Sequence, residues 1–301
     1  MKIYKSKKAE ERIIETYNAL LSKWETSVEE KEIVTQYGST HVIIAGNPQG
    51  PPIMLFHGVG DDSALMWLYN AKTLAKEFRL FAIDTIGGAG KSRPNENYNS
   101  TFDDALWIDA LRQQLGLGKV HLIGVSHGGY LVQYYNLVRH QWVDKVISMA
   151  SSVPDKQSKS TMQMMMRIFF PEALFPTNQN VKRLLKKLAG EHVEVFIKDD
   201  VIMAHYKWLL KGFNNMAMRY HQVRKFSDEE IQSIKENTYY IVGEEDPFER
   251  LGGKEALIRH GMNARFYQGV GHGINHEIAE KINLLVSQIL QGEIVNIRNG
   301  E

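Results

Sequence analysis

The sequence predicts an α/β fold: a mostly parallel sheet with helices on both faces and an inserted helical cap. Three observations predict it. Continuous apolar runs at 53–56, 80–83, 120–125, 143–150 and 238–242 alternate with helical patterns around 64–78, 102–115 and 128–139. Unbroken runs of that length suit strands buried on both faces, as in a parallel sheet. The alternation then lapses between Ser151 and Lys235, where roughly eighty residues of mostly helical pattern separate two strand candidates that need only one crossover.

Taken in order, the chain opens with Ile13, Ile14, Tyr17, Leu20, Leu21 and Trp24 on one face of a 3.6-residue repeat, which predicts an amphipathic helix over 9–25. It is expected within an N-terminal segment, 1–30, packed on the core. Residues 31–38 and 41–46 read as two strands joined by a Gly-Ser turn, and the βα alternation begins after Gly50-Pro51-Pro52. The core is expected at 31–152 and 236–301, and the cap at 153–235. The cap has Pro154, Pro171 and Pro176 as breakers and seven of the twelve methionines. It carries 14 basic against 9 acidic residues between Asp155 and Lys235. Methionine and aromatic side chains make adaptable apolar walls. Met162, Met166, Phe169, Phe170 and Trp208 are therefore the candidate substrate-binding residues, with Phe175, Tyr206 and Phe213 adding aromatic surface.

Composition excludes several classes. The 301 residues are 43% hydrophobic and 24% charged, as in an ordinary globular chain. Lys plus Arg is 36 and Asp plus Glu is 35, so no global field favours nucleic acid or an anionic membrane. No window approaches the roughly 20 consecutive apolar residues of a membrane span, and the basic start runs into Glu10 and Glu11 with no apolar stretch of a signal peptide. The expectation is a cytoplasmic protein. The absence of cysteine removes thiolate metal sites and a cysteine nucleophile, leaving oxygen or nitrogen to do any nucleophilic work.

An oxygen nucleophile is well marked. Strand Val120–Ile123 runs into Gly124-Val125-Ser126-His127-Gly128-Gly129 and then into a helical pattern, which is G-x-S-x-G between a strand and a helix. The turn is so tight that the serine must take a strained conformation, and glycines two positions away on either side remove the colliding Cβ atoms. Ser126 is the candidate nucleophile, and the backbone N–H of His127 a candidate oxyanion donor. A serine hydroxyl needs a base, and the base an orienting acid. Asp246, stiffened by Pro247 at the end of strand 238–242, is the candidate acid, with Glu244 and Glu245 as rivals. His272, between Gly271 and Gly273 after strand 264–267, is the candidate base, with His276 as runner-up. The third strand ends in His57-Gly58-Val59-Gly60-Asp61-Asp62, where the N–H of Val59 is the second candidate oxyanion donor and His57 a structural hydrogen-bonding residue.

These motifs resemble the α/β-hydrolase superfamily. The resemblance rests on His57-Gly58, on Asp84 followed by Gly87, Gly90 and Ser92, on Gly124 to Gly129, on Asp246 and on His272. Within it, the chain is similar to bacillary carboxylesterases of about 300 residues with an N-terminal helix. The resemblance implies an eight-stranded sheet, a helical cap after the sixth strand, and a Ser126–His272–Asp246 triad acting through an acyl-enzyme. The expected activity is hydrolysis of carboxylic esters with apolar groups. C–C bond hydrolases, thioesterases, acyltransferases and a ligand-binding signalling protein on this scaffold are the alternatives. The segment Asp84–Ser92 is one residue longer than the usual family form. Its Gly90-Lys91-Ser92 imitates the end of a phosphate loop, but residue 85 is Thr where that loop needs glycine, and no helix pattern follows. No metal-ligand spacing is present, so no metal or cofactor is expected, and Asp61-Asp62, Asp103-Asp104 and Asp199-Asp200 read as solvated faces or helix starts. The expected partner is a small-molecule ester, with no nucleic acid and no membrane span, and a homodimer remains open.

Overall fold

The computed structural model describes residues 2–160, 162–170 and 172–298, with Met162 described by its backbone alone. The strands are β1 (Val28–Thr35), β2 (Gly38–Gly46), β3 (Pro52–Phe56), β4 (Arg79–Ile83), β5 (Arg93–Pro94), β6 (Val120–Val125), β7 (Val143–Met149), β8 (Thr238–Gly243) and β9 (Asn263–Tyr267). Eight of them form one path, β1-β2-β4-β3-β6-β7-β8-β9. Where eight strands are expected the sheet has a ninth, because two-residue β5 pairs with the start of β2. From β4 through β9 all neighbours run parallel; β1 and β2 are antiparallel. The first hairpin turns at Gln36-Tyr37, earlier than the Gly-Ser reading, and Gly38 enters β2 at φ 124°.

The apolar runs are continuous because both faces of the sheet are covered. In β3, Ile53 and Leu55 join one core while Met54 and Phe56 join the other; in β8, Tyr239 and Ile241 divide from Tyr240 and Val242 in the same way. Side chains alternate along a strand, so a run that is apolar throughout needs two partners. One partner layer includes α1 (Lys7–Leu21), α2 (Ser63–Met66), α3 (Ala71–Leu74), α12 (Ile274–Glu277) and α13 (Ala279–Gln291); the other is α4 (Asp104–Gln114), α5 (His127–Arg139) and α11 (Gly253–Arg259).

Between β7 and β8 lie α6 (Met162–Phe169), α7 (Asn178–Leu188), α8 (Glu194–Ile197), α9 (Asp200–Gly212) and α10 (Asp228–Ser233). The N-terminal segment touches both the sheet and the insertion: Tyr17 and Leu20 of α1, with Trp24 just beyond it, pack with the sheet core, while Ile13 of α1 joins Leu209, Phe213 and Met218 of the inserted segment. The acidic pairs mark helix starts, for Asp62, Asp103 and Asp199 each accept a bond from their own helix N-terminus. Asp62 is not solvated, however. It is fully buried, with Oδ2 2.7 Å from His205 Nε2 of α9.

Candidate active site

The centre of the sheet delivers Ser126. It sits between β6 and α5 at φ 56°, ψ −118°, one of three non-glycine residues with positive φ among the described residues. That backbone costs of order 1–3 kcal/mol and persists only where its surroundings impose it. Here the surroundings are two glycines without room for a side chain. A Cβ at Gly124 would lie 2.0 Å from the Gly128 carbonyl oxygen, and one at Gly128 would lie 2.2 Å from that of Phe56. Ser126 N–H is fixed by the carbonyl of Met149 at 2.9 Å.

The loop after β3 closes over the serine. A Cβ at Gly58 would stand 3.2 Å from Ser126 Cβ, in close contact. His57, fully buried, sets this loop. Thr85 N–H donates to its Nε2 at 2.9 Å, so the ring's hydrogen is on Nδ1, which donates to Gly58 carbonyl at 2.8 Å. Burial lowers this imidazole's pKa and keeps it neutral. A trans peptide points its C=O and N–H to opposite sides. With the Gly58 carbonyl turned toward His57, the N–H of Val59 is turned away from it. Neither that N–H nor the N–H of His127, first residue of α5, has a hydrogen-bond partner among the described residues. The His127 ring lies 5.6 Å from that of His221 and 5.8 Å from that of Tyr130, and burial followed by the charge of His221 lowers its pKa to about 4.

The acid and base candidates meet. Strands β8 and β9 are stitched beyond their ends by Glu244 N–H to Tyr267 carbonyl and Glu245 N–H to Val270 carbonyl, each 2.9 Å. Asp246 Oδ2 then lies 2.6 Å from His272 Nδ1, while Asp246 Oδ1 accepts from Phe248 N–H at 2.9 Å. Burial pushes the His272 imidazole pKa down, but the Asp246 carboxylate more than restores it, leaving it above that of an ordinary histidine. The rivals are engaged elsewhere. Glu244 pairs with Lys254, Glu245 is exposed, and His276 is buried, with Nε2 donating to Leu65 carbonyl at 2.9 Å and its pKa lowered to about 4 by burial. Asp61, in the loop over Ser126, is pushed up to about 7 by burial and by the charge of Asp62.

The longer Asp84–Ser92 segment has a definite path. Gly88 N–H closes a turn onto Thr85 carbonyl at 2.8 Å, and the chain still returns: Ser92 Oγ donates to Asp84 carbonyl at 2.6 Å, and Lys91 N–H to the Asp84 carboxylate at 2.7 Å. Burial opposes ionisation of Asp84, but His41 and the Lys91 N–H overcome it and hold the carboxyl well below the usual range. Nothing in this loop opens a helix, as a phosphate loop must.

A family model for the alpha/beta hydrolase fold matches residues 51–277. The chain belongs to the alpha/beta hydrolase family. It is 27% identical to the uncharacterized carboxylesterase nap of Bacillus subtilis over 94% of this chain and 93% of that one. It is 24% identical to carboxylesterase YbfK of the same organism over 94% and 95%. The crystal structure of naproxen esterase from Bacillus subtilis superposes with a TM-score of 0.78 at 22% identity, covering 93% of this chain and 97% of that one. A meta-cleavage product hydrolase from Pseudomonas fluorescens gives a TM-score of 0.68 at 21% identity, covering 88% and 98%. Among the described residues of this hydrolase, no helix is long and apolar enough to cross a membrane, and no group of three His, Asp or Glu side chains is arranged to hold a metal.

The candidate substrate-binding residues lie on the inserted segment. Met166 and Phe170 are exposed, at 57% and 51% of their surface; Phe169 and Trp208 are half-buried; the side chain of Met162 lies outside the described residues. Sequence reasoning passed over Glu277, whose carboxylate binds the backbone on both sides of His272. Its signal is only an acid five residues past a candidate base, which carries no meaning until the loop is folded.

Proposed function

We propose that this hydrolase is a carboxylesterase that cleaves esters with apolar groups through an acyl-enzyme, using Ser126, His272 and Asp246. The observation that carries the reading is the strained backbone of Ser126, maintained between two glycines that admit no Cβ, in a chain that also supplies a hydrogen-bonded Asp–His pair. A fold has no structural reason to keep that strain at a serine. Relatives named carboxylesterases, matched over 94% of the chain, support the ester as substrate.

In this reading Ser126 Oγ attacks the acyl carbon and its proton passes to His272 Nε2. The N–H groups of Val59 and His127, without other partners among the described residues, receive the charge that develops on the carbonyl oxygen. His272 returns the proton to the departing alkoxide, and the alcohol leaves. Water then repeats the sequence on the acyl carbon, releasing the acid and restoring Ser126. Asp246 holds Nδ1–H and balances the imidazolium. Residues 153–235 act as a cap over a core of 31–152 and 236–301, with 1–30 bracing the two. Met166 and Phe169 on α6, Phe170 just after it and Trp208 on α9 would receive the apolar groups of the ester.

The test is hydrolysis of short-chain p-nitrophenyl esters by wild type and Ser126→Ala. A loss of at least about a thousandfold in the variant is expected. Equal rates for the two, or no rate above buffer for wild type, would refute the proposal.

A further inference from the structure

The loop that carries His272 is held by a buried carboxylate on one side and by the cap on the other. Glu277, at the end of α12, is 7% exposed. Its Oε1 accepts from Gly271 N–H at 3.1 Å and Gly273 N–H at 3.2 Å, the residues that flank His272. Its Oε2 accepts from Gly271 N–H at 3.1 Å and from Gly190 N–H at 2.8 Å. Gly190 belongs to the cap, between α7 and α8. Every one of these partners is a donor, so both oxygens act as acceptors, as in the ionised carboxylate.

Two backbone bonds run beside this clamp. His272 N–H donates to Leu188 carbonyl and Glu191 N–H donates to Gly269 carbonyl, both at 2.7 Å. The contact is too close for side chains: a Cβ at Gly190 would lie 2.2 Å from Gly269 carbonyl oxygen, and one at Gly271 would lie 2.3 Å from that of Leu188. Burying a carboxylate is costly unless it is fully hydrogen-bonded. Here the bonds are spent on one short loop whose central residue is the candidate base.

We infer that Glu277 is a positioning residue: its carboxylate fixes the His272 loop and ties it to cap residues 188–191, so that the base is in place only while this part of the cap is docked. The inference rests on the triad reading of Ser126, His272 and Asp246. Acidic groups face His272 from three elements: Asp246 and Glu249 after β8, Glu277 on α12, and Asp61 after β3. His192 of the cap faces Glu277. A positioning role therefore has an electrostatic signature that a purely structural one lacks.

Two variants divide the two parts of the clamp. Glu277→Gln removes the charge and opposes an amide NH2 to at least one of the N–H donors. Gly190→Ala keeps the charge but wedges the cap from the loop. Steady-state hydrolysis of p-nitrophenyl butyrate from pH 5 to 9 reads both, beside Ser126→Ala. The expected result is a kcat about 10- to 100-fold lower in each, the scale of a misplaced catalytic group, with KM within about threefold. In Glu277→Gln the acid limb of kcat/KM moves to lower pH, because His272 loses an anionic neighbour; in Gly190→Ala it stays. Should Glu277→Gln not fold, the kcat of Gly190→Ala decides alone. A kcat within about twofold of wild type in every folded variant overturns the inference, as does a raised KM with kcat intact. Activity surviving in Ser126→Ala overturns the triad reading and this inference with it, whereas an inactive Ser126→Ala beside unaffected clamp variants overturns this inference alone.

Discussion

Replacing Asp246 by asparagine separates charge from shape at the proposed triad. In the wild type Oδ1 is occupied by Phe248 N–H at 2.9 Å and Oδ2 faces His272 Nδ1 at 2.6 Å. An asparagine keeps the Phe248 bond only by placing its carbonyl oxygen there, which points its NH2 at the imidazole. Donor then meets donor unless the ring moves its hydrogen from Nδ1 to Nε2. The nitrogen meant to accept the Ser126 proton is thereby already protonated. Flipping the amide would restore the tautomer but set NH2 against the Phe248 N–H. Loss of the correct tautomer costs about 10⁴-fold in kcat, or about 5 kcal/mol of transition-state stabilisation. Asp246 also raises the His272 pKa. The wild-type acid limb of kcat/KM therefore lies above the pH of about 6.5 expected for a free histidine, with activity falling as pH drops through it and the imidazole gains its proton. In Asp246→Asn that limb moves to lower pH. The assay is p-nitrophenyl butyrate hydrolysis across pH, with circular dichroism to confirm folding. Activity within about tenfold of wild type would refute the assignment.

Three further outcomes follow from the geometry. Gly124→Ala sets a methyl 2.0 Å from the Gly128 carbonyl, which is backbone and has no room to yield; a loss of about 2–3 kcal/mol in urea unfolding is expected, with esterase activity falling more than the folded fraction, and wild-type stability would contradict the strained turn. His57→Ala frees the Gly58 carbonyl and leaves Thr85 N–H unpaired, so kcat should fall about 10- to 100-fold with KM little changed; an unaltered kcat would show that His57 does not aim the Val59 N–H. Asp155, buried where the inserted segment leaves β7, is pushed up by burial but pulled to about 2 by Arg259, His260 and Ser158. Its contribution is present above the ordinary carboxylate pKa and is lost as pH falls toward 2, so Asp155→Asn should cost about 2 kcal/mol at pH 7 and little at pH 2, read by thermal unfolding at both.

The parts of this molecule that were legible in the sequence are those encoded locally. The parallel sheet shows in the apolar runs because each strand must satisfy two cores. Ser126 shows because the turn it occupies tolerates only glycine at 124 and 128, whatever the rest of the chain does. The pairing of Asp246 with His272 was reachable because each lies in the loop that follows a recognisable strand. What was hidden depends on contacts far apart in sequence. The ninth strand is two residues long and exists only because Arg93–Pro94 returns beside Gly38 and Ser39. Asp62 reads as a surface acid until His205 arrives from α9. The bonds of Glu277 go to backbone N–H groups beside His272 and at Gly190, and backbone atoms leave no mark on side-chain patterning.

The central claim is that Ser126 becomes covalently acylated, and the most direct measurement is the mass of the protein after reaction with a p-nitrophenyl phosphonate ester, followed by peptide mapping. A single phosphonyl group on Ser126, formed with stoichiometric release of p-nitrophenol, absent from Ser126→Ala and slow in His272→Ala, is the predicted result. A label on any other residue, or none under conditions where the wild type hydrolyses esters, would contradict the account.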